Sequence, residues 1–181
     1  MTWHDAHLTP KGITQAEEAG DFWANAVSAD KVPVPEKWFT SPLTRCLHTT
    51  ETMRKRVQMT IPLSSPPFLS EAVREISGVH TCDKRSTRSA IEAAFPEFIL
   101  EGSMSEEDNL WHANKRNTPE EHVKMWRTFL EQLFVDNSTF IFIATHSGAT
   151  RALYLAIGHP VVWTAAGSIV PILVRGQSAA V

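Results

Sequence analysis

Two segments of this chain share one design: an apolar strand-like run, a tight polar turn, then a helix start. One is WFTSPLTR, residues 38–45, and the other is FIFIATHSGATR, residues 140–151. In open α/β sheets ligands bind beyond the carboxyl ends of the strands. A helix N-terminus at that position offers free backbone N–H groups and a partial positive charge, both suited to an anion. Arg45, in the first helical turn of its segment, can offer a bidentate fork to phosphate oxygens. His146 stands at the strand end, where an imidazole donates to developing negative charge, and Ser147 and Gly148 follow it at the start of the helix. Taken singly, an arginine in a first helical turn is more often a surface residue, and a histidine at a strand end more often structural. Two matching turns together favour a phosphate-type site.

Other clusters carry less. His4, Asp5 and His7 have short spacing but precede a helix in what reads as a mobile terminus, and no second cluster matches them, so no metal is expected. His80, Cys82 and Asp83 give no better ligand set, and His112 and His122 lie on polar segments expected to be solvated. Cys46 and Cys82 are far apart and outside any C-x-x-C pair, which fits a reduced, cytoplasmic setting without disulfides. With 17 basic and 20 acidic residues the net charge is -3, so neither nucleic acid nor an anionic membrane is an expected partner. No apolar run approaches the ~20 residues of a spanning helix, and MTWHDAHLTPKG lacks a secretory pattern.

The elements that must hold these residues read as follows. Thr9-Pro10 opens a helix whose apolar residues recur through Trp23, and Pro33-Val34-Pro35 ends it. Trp38-Phe39-Thr40 is a short buried strand. Ser41-Pro42 reads as an N-cap and first-turn proline for a helix carrying Arg45 to Val57. Residues 61–68 are a connector with three prolines and at most one short strand, and residues 69–88 are irregular. Ser89 to Phe95 reads as a short helix. Thr118-Pro119-Glu120-Glu121 starts a longer one, with Val123, Trp126, Phe129, Leu130 and Leu133 as its apolar face. Thr139 to Thr145 is the clearest strand, apolar on both faces and so expected at the centre of a sheet, followed by a helix from Ala149 to Ile157. Ser168 to Val174 is expected as a last strand, with Pro171 marking an edge or bulge. Helices alternating with buried strands predict an α/β fold, a three-layer α/β/α sandwich in one domain of 181 residues, of which 43% are hydrophobic.

The order LTPKGITQA, TSPLTRCLHTTE, LSEAVREISGVHTCDKR and ATHSGATRALYLAIGH resembles the histidine phosphatase superfamily, and GVHTCDKR resembles its fungal phosphoglycerate-mutase-like branch. The resemblance runs from about Leu8 to Val174. LTxxG and SPLxR are weak patterns alone; four motifs in order, with a buried strand before HSG, are specific. The resemblance implies phosphomonoester hydrolysis through a phosphohistidine, without a cofactor, on a small phosphorylated or otherwise anionic substrate. It makes Arg45 a phosphate-binding arginine, His146 the second active-site histidine, and Ser147 and Gly148 part of the substrate-binding turn. It puts the acidic proton donor before GVHTCDKR, at Glu75 with Glu71 as the alternative. The bland reading of Glu75 is a loop salt bridge with Arg74 or Arg85. Lys84 and Arg85 would read an acidic substrate at the pocket mouth, or simply be solvated.

The family also begins with a strand ending in Arg-His-Gly, whose histidine attacks phosphorus. No Arg-His-Gly occurs in this chain, and only seven residues precede Leu8. The expectation is an N-terminally truncated domain with impaired hydrolysis, first as a shortened record of the gene. The alternatives are an isomerase or lyase of fungal secondary metabolism using the residual acid–base pocket, or a non-catalytic anion binder. A vacant place beside TFIFIAT is expected to promote self-association.

Overall fold

The computed structural model describes residues 3–176. Thr9 caps the first helix, α1 (Pro10–Ser28), by accepting from Gly12 N, with Pro10 in the first turn. β1 (Lys37–Thr40) leads into α2 (Thr44–Gln58), and β2 (Pro67–Leu69) follows the proline-rich connector. Two short 3-10 turns, Glu71–Val73 and Thr81–Asp83, are the only helical features in residues 70–86. α3 (Arg88–Ala94) and β3 (Ile99–Leu100) precede the long helix α4 (Pro119–Val135). α4 opens on a capping box in which Thr118 and Glu121 exchange side-chain and backbone bonds, as TPEE predicts. β4 (Ile141–Ala144) and α5 (Ser147–Ala156) close the described elements.

The four strands are parallel in the order β3-β2-β1-β4. Successive side chains of a strand face opposite ways, and β1 shows what each face meets. Trp38 packs with Ala24 of α1 and Val57 of α2, while Phe39 packs with Trp126 and Phe129 of α4 and Leu153 of α5. The sheet is thus the middle layer of the α/β/α sandwich, with α1 and α2 on one face and α4 and α5 on the other. None of the described helices is long and apolar enough to cross a membrane.

Four expectations are corrected. The strand expected centrally at Thr139–Thr145 is β4, shorter and at an edge, and β1 occupies the middle with β4 paired to it alone among the described residues. Its three leading residues are only half-buried, because apolar side chains on both faces do not by themselves supply a second neighbour. Ser168–Val174 forms no strand: it pairs with nothing described, Leu173 is wholly exposed, and Pro171 has no N–H to give a ladder. Ser41 is not the cap of α2, which begins two residues beyond Pro42 after Leu43. The terminus around Asp5 is not loose, because that carboxylate supplies the cap: it accepts from Thr44 N and Thr44 Oγ1, both at 2.8 Å, and from Ser86 N and Oγ.

Candidate functional site

The carboxyl ends of β1 and β4 lie side by side, with Thr40 opposite Ala144 and Ser41 N donating to Ala144 O at 3.0 Å. The chain turns from each strand directly into a helix, so the N-termini of α2 and α5 open on the same end of the sheet. Arg45 and His146 meet there. Arg45 Nε donates to His146 Nδ1 at 3.2 Å. A guanidinium N–H can only donate, so Nδ1 is unprotonated and the neutral ring carries its hydrogen on Nε2. That nitrogen lies 2.8 Å from Ser41 Oγ and 3.4 Å from Cys46 Sγ. Burial, then the charges of Arg45 and Arg74, holds the His146 pKa well below the ordinary imidazole value. Burial pushes the Cys46 thiol up to about 12, which leaves it protonated and a poor nucleophile.

Arg45 also donates Nη1 to Cys82 O at 2.7 Å and Nη2 to Asp83 Oδ1 at 3.0 Å. Three of its five N–H groups are engaged, which orients the fork and leaves one hydrogen on each Nη for a ligand. Glu75 sits across the first turn of α5: Oε2 accepts from Gly148 N at 3.2 Å and Oε1 from Ile76 N at 2.8 Å. A Cβ on residue 148 would overlap Glu75 Oε1, so only glycine there lets the carboxyl reach the helix end. Ser147 is exposed at the first position of the helix.

The loop salt bridge considered for Glu75 belongs to Glu71 instead. Arg74 Nη1 reaches Glu71 at 2.8 Å and Arg85 Nε reaches it at 2.6 Å. Arg74 in turn holds Asp108 through both terminal nitrogens, at 2.9 and 2.7 Å, and donates to Asp83 O. Arg85, expected at a pocket mouth or in solvent, is buried, with its remaining donors on the carbonyls of Ser86, Ser105, Glu106 and Glu107. Lys84 lies over the Trp111 ring. These bonds fold residues 71–85 back on themselves and present Glu75 and Asp83 toward α5 and Arg45.

Among the histidines, His122 is buried at 2% exposure, against the expectation of solvation, and its Nε2 bonds Arg74 O at 3.0 Å. His112 is exposed, as expected, and His7 packs against His48. Sequence reasoning missed Asp83, Ser41, Cys46, Asp5 and the Arg74–Asp108 pair. Only Ser41 and Cys46 carried a signal, being within the same turn and helix start as Arg45.

His146 and His122 both have pKa values lowered chiefly by burial. A ring that binds its proton less readily folded than unfolded gives stability that is whole above the ordinary imidazole value and falls as pH drops toward the folded value. Urea unfolding should therefore show stability declining from pH 7 to pH 5, by at most about 1.4 kcal/mol per pH unit for each ring. His146→Asn should reduce the slope. A flat profile would mean the rings are not held neutral.

The chain matches the model of the histidine phosphatase superfamily, branch 1, over residues 1–162. It is 38% identical over 178 residues to a probable phosphoglycerate mutase of Arthroderma benhamiae, covering 97% of this chain and 52% of that protein. It is 28% identical to phosphomutase-like protein 3 of Candida albicans, covering 96% and 53%. The chain thus spans about half the length of these curated relatives. Among solved structures, a mycobacterial glucosyl-3-phosphoglycerate phosphatase in complex with inorganic phosphate superposes with a TM-score of 0.54 at 18% identity, over 89% of this chain and 74% of that one. The same mycobacterial enzyme with VO3 gives 0.53 at 19% identity, over 87% and 71%. That likeness is one of fold, and it agrees with the sequence match: the chain belongs to the histidine phosphatase superfamily, among its fungal phosphoglycerate-mutase-like members.

Proposed function

We propose that these residues form the anion-binding and proton-donating part of a phosphomonoester hydrolase site. The observation that carries this reading is the Arg45–His146 pair at the joined carboxyl ends of β1 and β4, with Glu75 across the start of α5. Phosphate oxygens would take the two remaining Nη hydrogens of Arg45, the Nε2–H of His146 turned from Ser41, and N–H groups at the start of α5. A neutral imidazole and a fixed guanidinium stabilise charge on the equatorial oxygens without first giving up a proton. Glu75 would hand its proton to the departing oxygen. The relatives' names and the phosphate and VO3 complexes of the mycobacterial enzyme support a phosphorylated small molecule as ligand. The attacking histidine has no counterpart here, because no Arg-His-Gly occurs in these 181 residues, and their own turnover is proposed to be negligible.

Thermal melting against inorganic phosphate at constant ionic strength tests the ligand. At about 100 times Kd, linkage stabilises the protein by about 2.7 kcal/mol, or roughly 5–10 °C for a chain of this size. Arg45→Ala should lose nearly all of that shift. Equal shifts in parent and variant would remove the anion site.

A further inference from the structure

The cation of the anion site is already paired. Arg45 Nη2 donates to Asp83 Oδ1 at 3.0 Å, and the Asp83 side chain is 7% exposed against 24% for Arg45. Orienting the guanidinium does not by itself require that charge. Two neutral acceptors, Cys82 O at 2.7 Å from Nη1 and His146 Nδ1 at 3.2 Å from Nε, already fix the plane of a rigid, flat group. What Asp83 adds, and they do not, is a full negative charge beside the hydrogens left for a ligand.

That carboxylate is anchored through its own backbone. Asp83 N donates to His80 O at 3.1 Å, and Asp83 O accepts from Arg74 Nη2 at 2.8 Å. Arg74 is held in turn by Asp108 and Glu71. Asp83 is therefore not free to swing aside when an anion arrives. A ligand oxygen on the remaining Nη2 hydrogen would lie about 2.9 Å from that nitrogen, and so at most about 6 Å from Asp83 Oδ1. Even at the dielectric constant of water, repulsion across about 6 Å weakens binding about threefold for one negative charge on the ligand and about tenfold for two. A less polar surrounding enlarges both effects. The hydrogen bonds on offer are the same for either ligand, so the difference is one of charge.

We propose that Asp83 is a specificity-determining residue of this site, a built-in counter-charge that favours singly charged oxyanions over doubly charged ones. The proposal rests on the reading of Arg45 and His146 as the anion site. A doubly charged phosphate is then held loosely, which favours its departure from the site.

Sulfate and methanesulfonate are the probes, since both surround one sulfur with oxygens and they are doubly and singly charged at neutral pH. Each is titrated at one low ionic strength into the parent, Asp83→Asn and Asp83→Ala, with the Gly148 amide at the start of α5 followed by NMR. Asparagine keeps an acceptor oxygen for Arg45 Nη2 and removes only the charge. Asp83→Asn should bind methanesulfonate about threefold and sulfate about tenfold more tightly than the parent, so its preference for sulfate should rise by about threefold. Asp83→Ala also loses the acceptor, which moves both affinities together, but its preference for sulfate should rise by the same factor. A role in folding or in shaping the site would leave that preference where it is in the parent. An unchanged preference in both variants would therefore overturn the counter-charge while the anion site stands. Titration of neither anion at Gly148, in any of the three proteins, would remove the anion site and this proposal with it.

Discussion

Arg74→Ala should destabilise the protein by about 3–5 kcal/mol, because it removes one partner of a buried, bidentate ion pair and strands the other. Both side chains of the Arg74–Asp108 pair are essentially out of solvent, and Glu71 and Asp83 O lose a donor with them. Arg74→Lys should recover only part of this, since an ammonium cannot reproduce the two parallel bonds. Urea unfolding gives the comparison, and a cost under about 1 kcal/mol would put the network among merely decorative ion pairs. The same pair has an acid signature. Burial alone would raise the Asp108 pKa, but the hydrogen bonds and charge of Arg74 outweigh it and hold the carboxyl below its ordinary value. Stability from that shift is whole above the unfolded aspartate value of about 3.9 and is lost as pH falls through the lower folded value. Arg74→Ala should abolish that portion of the acid dependence.

Purified protein of this sequence should hydrolyse a generic aryl phosphate on the order of 10⁶-fold more slowly than an enzyme with its nucleophile in place, the scale of loss when a nucleophile is deleted elsewhere. The observation behind this expectation is the placement of the other histidines. None of the other seven makes a hydrogen bond or ring contact with Arg45, Glu75 or His146 among the described residues. His146 itself is committed through Nδ1 to Arg45, which leaves Nε2–H a donor rather than an attacking lone pair. Turnover on an aryl phosphate, followed by a trap for phosphohistidine, measures this. Hydrolysis lost in His146→Ala together with a labelled histidine would reassign His146 as the nucleophile.

What the sequence disclosed follows the range of the interactions involved. Thr9-Pro10 and the capping box at Thr118 act within one helical turn, and both helix starts lie where those residues put them. The two strand–turn–helix segments were legible for the same reason, and with them the meeting of Arg45 and His146. Residues 69–88 were not, because their order comes from bonds across tens of residues: Arg74 to Asp108, Arg85 to the 105–107 carbonyls, Arg45 to Asp83. Such partners leave no periodicity. Arg85 and His122 read as surface residues by type, and the structure buries both: Arg85 donates to the Glu71 carboxylate and to backbone carbonyls of 105–107, and His122 Nε2 bonds the Arg74 carbonyl. Asp5 is the clearest case: an acidic residue near the N-terminus, without local pattern, caps a helix whose own turn has Leu43 where a side-chain cap would stand. β4 shows the opposite limit, since apolar residues on both faces indicate burial by helices and say nothing of how many strands stand beside it.

The most direct measurement is a crystal structure of the protein with phosphate. The anion should lie within hydrogen-bonding distance of the Arg45 guanidinium and of His146 Nε2 turned away from Ser41, against the first N–H groups of α5, with Glu75 beside it. Phosphate bound elsewhere, with Arg45 still only on Asp83 and Cys82 and His146 still on Ser41 at saturating concentration, would contradict the site.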